Sequence, residues 1–241
     1  MATEIGRTLV VGATSGIGRA LVAELGRLGA PVVGAGRRVD QLDDVKGVLG
    51  IACDARDHDA VIRLVAATVD ALGGLDALVY AAGVSGVMPI GETPLARWRD
   101  VYDANLFGEV DVVQECLPHM TAPGSQGRVL LMTSDSAEMP YPGMVPYGTS
   151  KAALAALALG LRYERPELRV TEIVVGPTDD TGMGEQIGYD TIGEWFGRWA
   201  EGGFLRFDVQ LPADVVTPTI ACLTDDEPTT RLLALRESGA S

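Results

Sequence analysis

The sequence is poor in the side chains that metal and redox centres need, with 2 histidines and 3 cysteines in 241 residues. The cysteines, Cys53, Cys116 and Cys222, are scattered, odd in number and without metal-type spacing. They read as reduced, buried thiols, which fits a cytoplasmic protein. Neither His58 nor His119 has a second histidine at ligand spacing, so no metal site is expected. Basic residues are scarce, 19 against 33 acidic, and the net charge is −14. Nucleic acid and anionic membrane both call for basic patches and are not expected partners. The longest apolar run lies near Ala152–Leu161, well short of the ~20 residues of a membrane span. Met1–Arg7 has no apolar core, so no signal peptide is expected. No repeat, low-complexity tract or flexible linker divides the chain, and one domain over residues 1–241 is expected.

What the chain does have is 47% hydrophobic residues and 30 glycines, a composition suited to a buried sheet with tight turns. Thr8–Val11 reads as a buried strand running into Gly12-Ala13-Thr14-Ser15-Gly16-Ile17-Gly18. A helical pattern follows, and Pro31–Ala35 is the next strand. In this βαβ order the glycines let backbone approach a pyrophosphate, and the helix start offers N–H donors, with Gly12, Thr14, Ser15, Gly16, Ile17 and Gly18 as the cradle. The second strand ends in Gly36-Arg37-Arg38, with no carboxylate until Asp40. Two guanidiniums suit a ribose 2′-phosphate, so NADP(H) is favoured over NAD(H), which remains possible. Val48–Cys53 reads as a third strand. Asp54 at its end either accepts from an adenine amino group or serves a turn or cap, a role open to Asp57 as well. A helix over 58–72 and a strand over 75–81 follow. Ala82-Gly83 is small enough to pass close to a flat ligand. One helix is expected from Pro94, capped by Thr93, to about Leu117. Asn105 inside it is either an exposed polar residue or a buried one with work to do.

The fifth strand, Arg128–Thr133, carries Ser134, placed to hydrogen-bond a substrate oxygen; Ser136 is a rival further into the loop. Tyr147-Gly148-Thr149-Ser150-Lys151 opens a run of strong helix formers, which puts Tyr147 and Lys151 on one helical face. An ammonium there should lower the phenol's pKa, making it an acid/base for a carbonyl/alcohol pair. The loop 138–146 reads as a fixed wall with Tyr141 beside the site. From Asp179 to Phe207 glycines alternate with Met183, Trp195, Trp199 and other large apolar groups, suggesting a lid (about 179–210) over an apolar pocket or a subunit contact. Pro212 starts a last helix, and Thr229–Leu235 reads as a seventh strand.

Gly12-x-x-x-Gly16-x-Gly18, Asp54, Ala82-Gly83, Asn105, Ser134 and Tyr147-x-x-x-Lys151 together resemble the short-chain dehydrogenase/reductase family, over Thr8 to about Met183. The resemblance implies an α/β, single-domain Rossmann-type fold, a doubly wound parallel sheet ordered 3-2-1-4-5-6-7 with helices on both faces. It implies Tyr147 as general acid/base, Ser134 as orienter of the substrate oxygen, Lys151 as tuner of Tyr147 and holder of the nicotinamide ribose, and Asn105 as anchor of a relay water. It also implies a cofactor contact at Thr181 and a homodimer or homotetramer. Tyr80-Ala81-Ala82-Gly83 departs from the family's Asn-Asn-Ala-Gly and loses an amide that braces the central strands; Gly176-Pro177 inverts the usual Pro-Gly. The expected activity is that of an NADPH-dependent carbonyl reductase or alcohol dehydrogenase on an apolar small molecule, with Ser136, Tyr141, Met183 and Trp195 lining the pocket. The alternatives are a non-catalytic NADP(H)-binding sensor or scaffold and an NAD-dependent epimerase or dehydratase.

Overall fold

Unbroken apolar runs between glycine and proline stops become strands, and runs with a three-to-four-residue apolar step become helices. In a computed structural model, which describes residues 4–225 and 229–237, these are β1 (Thr8–Val11), α1 (Gly16–Arg27), β2 (Val32–Gly36), β3 (Val48–Ala52), α2 (His58–Leu72) and β4 (Ala77–Tyr80). Then come α3 (Leu95–Tyr102), α4 (Gly108–Met120), β5 (Arg128–Ser134), α5 (Val145–Glu164) and β6 (Arg169–Val175). The chain continues with α6 (Met183–Ile187), α7 (Tyr189–Glu201), β7 (Phe207–Asp208), α8 (Pro212–Thr224), β8 (Arg231–Ala234) and β9 (Arg236–Glu237). Seven strands form one parallel sheet ordered β3-β2-β1-β4-β5-β6-β8. The expected seventh strand is β8, because the two-residue β7 precedes it and pairs antiparallel with β9. Residues 1–3, part of the stretch read for a signal peptide, lie outside the described residues.

The four central strands β1, β2, β4 and β5 are buried along their whole length, while β3 at one edge is only half covered. That follows from covering a parallel sheet on both faces. Alternate residues feed two cores. Leu9, Val11, Leu78, Tyr80, Val129 and Leu131 pack under α2, α4 and α5. Val10, Val79, Leu130, Met132 and Ile173 pack under α1 and α8. Among the described residues, no helix is long and apolar enough to cross a membrane.

Local chemistry settles several element ends. Asp57 caps α2 by accepting from the Ala60 N–H at 3.3 Å, and Gly73 ends that helix at φ 72°. The helix expected over 94–117 is instead α3, a π-helical turn over Asp103–Phe107, and α4. Thr93 is not its cap: Pro94 precedes the first turn, and the Thr93 hydroxyl donates to Pro89 O at 2.9 Å. The helix also passes Pro118 and ends at Met120, since a proline so near the end forfeits one hydrogen bond.

Candidate active site

The carboxyl ends of the strands converge on one edge of the sheet. The sheet order reverses between β1 and β4, and crevices at such switch points receive ligands. A cavity of about 780 Å³ lies there. Its lining comes from the residues that follow each strand: Gly12 after β1, Arg37 and Arg38 after β2, Cys53 and Asp54 after β3, Ala81 to Gly83 after β4, and Asp135 after β5.

The first turn is built by backbone crowding. A Cβ on Gly12 would lie 2.4 Å from Ala82 N, and one on Gly18 would lie 2.2 Å from Gly12 O. Gly16, at φ +50°, leaves room for the backbone of Thr181, whose Cα would sit 2.8 Å from an added Cβ. Gly12, Thr14, Ser15, Ile17 and Thr181 line the cavity; Gly16 and Gly18 do not, and act by leaving space. No acidic side chain occupies the first turn of α1, and Ser15 does not cap it with its own hydroxyl. That N-terminus, the glycine turn and two arginines fit the phosphates of a dinucleotide. Arg38 faces Glu185 of α6 at 3.6 Å. Asp54 is bound twice by the Arg56 guanidinium and once by its N–H at 3.1 Å, which holds its carboxyl below the usual range. Burial pushes the Cys53 thiol up to about 11.

The reacting end is made by β5 and α5. Ser134 closes β5, and its Oγ accepts from Ser136 N–H at 3.2 Å and from Ser136 Oγ at 3.0 Å. The Ser134 hydroxyl neighbours that of Tyr147, and both line the cavity with Lys151, Ser136 and Tyr141. Lys151 is buried, and its Nζ donates to Met132 O at 2.7 Å while lying 5.9 Å from the Tyr147 ring centroid. The expected lowering of the phenol's pKa by Lys151 is corrected here. Burial raises it to about 12, the neighbouring Ser134 hydroxyl opposes that, and Asp135 adds to it. Burial likewise lowers the Lys151 pKa, against the pull of Glu109.

Asn105 is fully buried in the π-helical turn and does not line the cavity. Its Oδ1 accepts from Val84 N–H at 2.7 Å, and its Nδ2 donates to Val84 O at 2.9 Å and Ser150 Oγ at 3.1 Å. It thus ties the chain after β4 to the turn that carries Lys151. Tyr80, in place of the family's amide, reaches the same turn by donating to Ala104 O at 3.1 Å.

Of the residues expected at the substrate pocket, Ser136, Tyr141 and Met183 line the cavity and Trp195 does not. Ile192, Phe196 and Trp199 of α7, spaced four and three apart, face the cavity. Trp195 is rotated off that face, over Gly143, with the Arg198 guanidinium 4.9 Å from its ring. Trp199 donates to Pro142 O at 2.9 Å and packs against Tyr141, with ring centroids 5.1 Å apart and planes tilted by 45°. The segment 179–210 also reaches the opposite wall, where the Gln186 side chain accepts from Ser85 N–H at 3.2 Å. Sequence reading missed Asp135, although its place between two hydroxyls at a strand end was a usable signal. It also missed Glu109, a buried carboxylate with neither oxygen hydrogen-bonded and a pKa raised by burial; a single Glu in an apolar run gives little warning.

A doubly wound sheet with a dinucleotide cleft at its switch point and a Ser/Tyr/Lys set beside it defines the class: a nucleotide-dependent α/β oxidoreductase. The family model for short chain dehydrogenases matches residues 7–191. Serine 3-dehydrogenase of Rhizobium radiobacter is 35% identical over 179 residues, 71% of this chain and 71% of that protein. A Haemophilus influenzae protein named "Probable NADP-dependent dehydrogenase" is 32% identical over 176 residues, 70% of this chain and 69% of its own. A crystal structure of a dehydrogenase/reductase from Sinorhizobium meliloti 1021 superimposes with a TM-score of 0.80 at 27% identity, covering 96% of this chain and 95% of that one. The chain belongs to the short-chain dehydrogenase/reductase family and is an NAD(P)-dependent oxidoreductase.

Proposed function

We propose that the protein is an NADPH-dependent carbonyl reductase, reversible as an alcohol dehydrogenase, acting on a small molecule with an apolar body. The observation that carries this is the Ser134–Tyr147 hydroxyl pair on the cavity wall, with Lys151 one helical turn from Tyr147. When bound, the nicotinamide supplies or accepts the hydride. Tyr147 gives its proton to the carbonyl oxygen in reduction and takes it from the alcohol in oxidation. Ser134 fixes that oxygen, and Lys151, whose Nζ is held by Met132 O, would bind a hydroxyl of the nicotinamide ribose. Asn105 steadies the turn behind Lys151 through Ser150. Met144, Met183, Ile192, Phe196, Trp199 and Leu205 exclude water from the substrate end. Tyr147→Phe should cut turnover at least about 100-fold, the range for losing a positioned general acid, with an unchanged circular dichroism spectrum. Near wild-type turnover would refute the assignment.

The NADP(H) preference rests on Arg37 and Arg38 at the end of β2, on the cavity wall. The relative with NADP in its name supports it. Arg38→Ala should raise the NADPH KM more than the NADH KM, by about tenfold for one charge-assisted contact; equal KM values in the parent enzyme would refute it. A homo-oligomer is supported by Phe107, Leu159 and Tyr163, apolar side chains left exposed on the helices before α4 and along α5. Light scattering on a sizing column tests this.

A further inference from the structure

Asp135 sits between the two hydroxyls of the reacting end, and the family mechanism gives it no part. It is half-buried and lines the cavity. Its Oδ1 accepts the Ser134 hydroxyl at 3.0 Å, and its Oδ2 accepts the Tyr141 hydroxyl at 2.5 Å. A carboxylate has about four lone-pair positions, so two hydroxyls leave capacity over. Among the described residues it makes no ion pair, and the cavity it lines is also walled by Met144, Met183, Phe196 and Trp199. A carboxylate in such a place is costly without a counter-charge. Asp179 and Asp180 also line the cavity, and the chain carries −14 overall, so the field favours a cation.

Ser134 has one proton, and it points at Asp135. To orient a substrate carbonyl, that proton has to turn to the substrate oxygen. A cation binding Asp135 would take the carboxylate lone pairs and free it. The Ser134 Oγ and the Asp135 Oδ1 lie 3.0 Å apart. An oxygen and a nitrogen on neighbouring carbons are about 3–4 Å apart by ordinary bond lengths, so a substrate whose oxygen meets Ser134 sets an ammonium on the next carbon against Asp135.

Building on the reading above, we propose that Asp135, braced by Tyr141, is the specificity residue of this enzyme, and that it selects a substrate whose reacting carbinol or carbonyl carbon is next to an ammonium-bearing carbon. The substrate class is then an amino alcohol or amino ketone with an apolar body, and carboxylate-bearing alcohols are excluded. The chemistry stays hydride transfer to or from the carbon, with the proton passing between the oxygen and Tyr147. Recognition only redirects the Ser134 hydrogen bond.

Three alcohols of like shape test it: phenylethanolamine, phenylpropanol with an ethyl group in place of the aminomethyl, and mandelate with a carboxylate there. Wild-type holoenzyme should prefer phenylethanolamine to phenylpropanol in kcat/KM by about tenfold or more, a charge-assisted hydrogen bond's worth, and should act on mandelate least. In Asp135→Asn the ratio of the first two should collapse towards one. A structural role for Asp135 would slow both alcohols alike and leave the ratio standing, which overturns the proposal. No preference in the wild type overturns it also. If Tyr147→Phe abolishes phenylpropanol turnover while the ammonium preference is missing, the oxidoreductase site survives and only this inference fails. Should none of the three be turned over, the Tm of cofactor-saturated enzyme decides. A rise with phenylethanolamine that Asp135→Asn loses supports the proposal, and equal behaviour of the two proteins overturns it.

Discussion

The two walls of the cleft are built by different means. The wall under the dinucleotide, from β1 to β3, is backbone against backbone, with glycines where a Cβ would strike a carbonyl or amide. The wall over the substrate, α6 and α7, is side chain against side chain, a small cluster of Tyr141, Met144 and Trp199 with Trp195 and Phe196 around it. Its glycines Gly193 and Gly197 have open space where a Cβ would go. One wall tolerates no added atom, and the other is set by the phase of an amphipathic helix. On the proposed reading, the first wall would hold a cofactor shared with a whole family, and the second would be free to change with the substrate.

The largest effect that would break this contrast is expected at Gly18. Gly18→Ala forces a Cβ to 2.2 Å from the Gly12 carbonyl, and neither backbone can yield cheaply. A loss of roughly 3 kcal/mol in stability or more, with cofactor binding lost, is the expected outcome of denaturant titration and fluorescence binding. A neutral Gly18→Ala would mean the turn is as plastic as the lid. Next is Trp199→Ala, which removes a buried indole from the lid cluster. About 2–3 kcal/mol is expected, below the usual range for a core aromatic because the cluster is a satellite. Substrate KM should rise while cofactor Kd stays within twofold.

The third test concerns the far end of β1 and β4. Asp76 accepts from Arg7 N at 2.8 Å, Nε at 2.7 Å and Nη2 at 2.9 Å. Asp76→Asn should cost about 2 kcal/mol, moderated because the Arg7 side chain is 30% exposed. Those bonds, above all the Arg7 side chain, hold the Asp76 carboxyl below its ordinary value. The unfolded chain therefore takes up this proton first as pH falls. The contribution is whole above the unfolded pKa and disappears as pH drops through the folded one. The Tm gap between wild type and Asp76→Asn should thus be wide at neutral pH and close in acid. The smallest effect is Gly193→Ala, with nothing within 4 Å of the new methyl. It should stabilise α7 by about 0.5–1 kcal/mol, a shift that differential scanning calorimetry resolves; destabilisation would show that the lid is as tightly fitted as the turn.

The same contrast explains what could be read in advance. The glycine turn, the strand ends, Ser134 and the Tyr147–Lys151 spacing were legible because each is a local rule about backbone conformation or helical pitch. Composition marks Trp195 and Trp199 alike, whereas which of them faces inward depends on how α7 is rotated against Tyr141 and Gly143. Asn105 was placed in the right helix, but its π-helical turn is a tertiary matter, set by the bonds to Val84 and Ser150. The expected acidic phenol failed for a related reason: spacing shows that Lys151 is near, and only the fold shows how far burial outweighs it.

The approach of Thr181 to Gly16 bears on kinetics. Thr181, near the start of the proposed lid segment, rests against the glycine turn proposed to take the phosphates, so on that reading the substrate's doorway is hinged on the nucleotide's seat. Traffic through the enzyme should then be compulsory in order, nucleotide first in and last out. Product inhibition would read as competitive only between the two nucleotide forms.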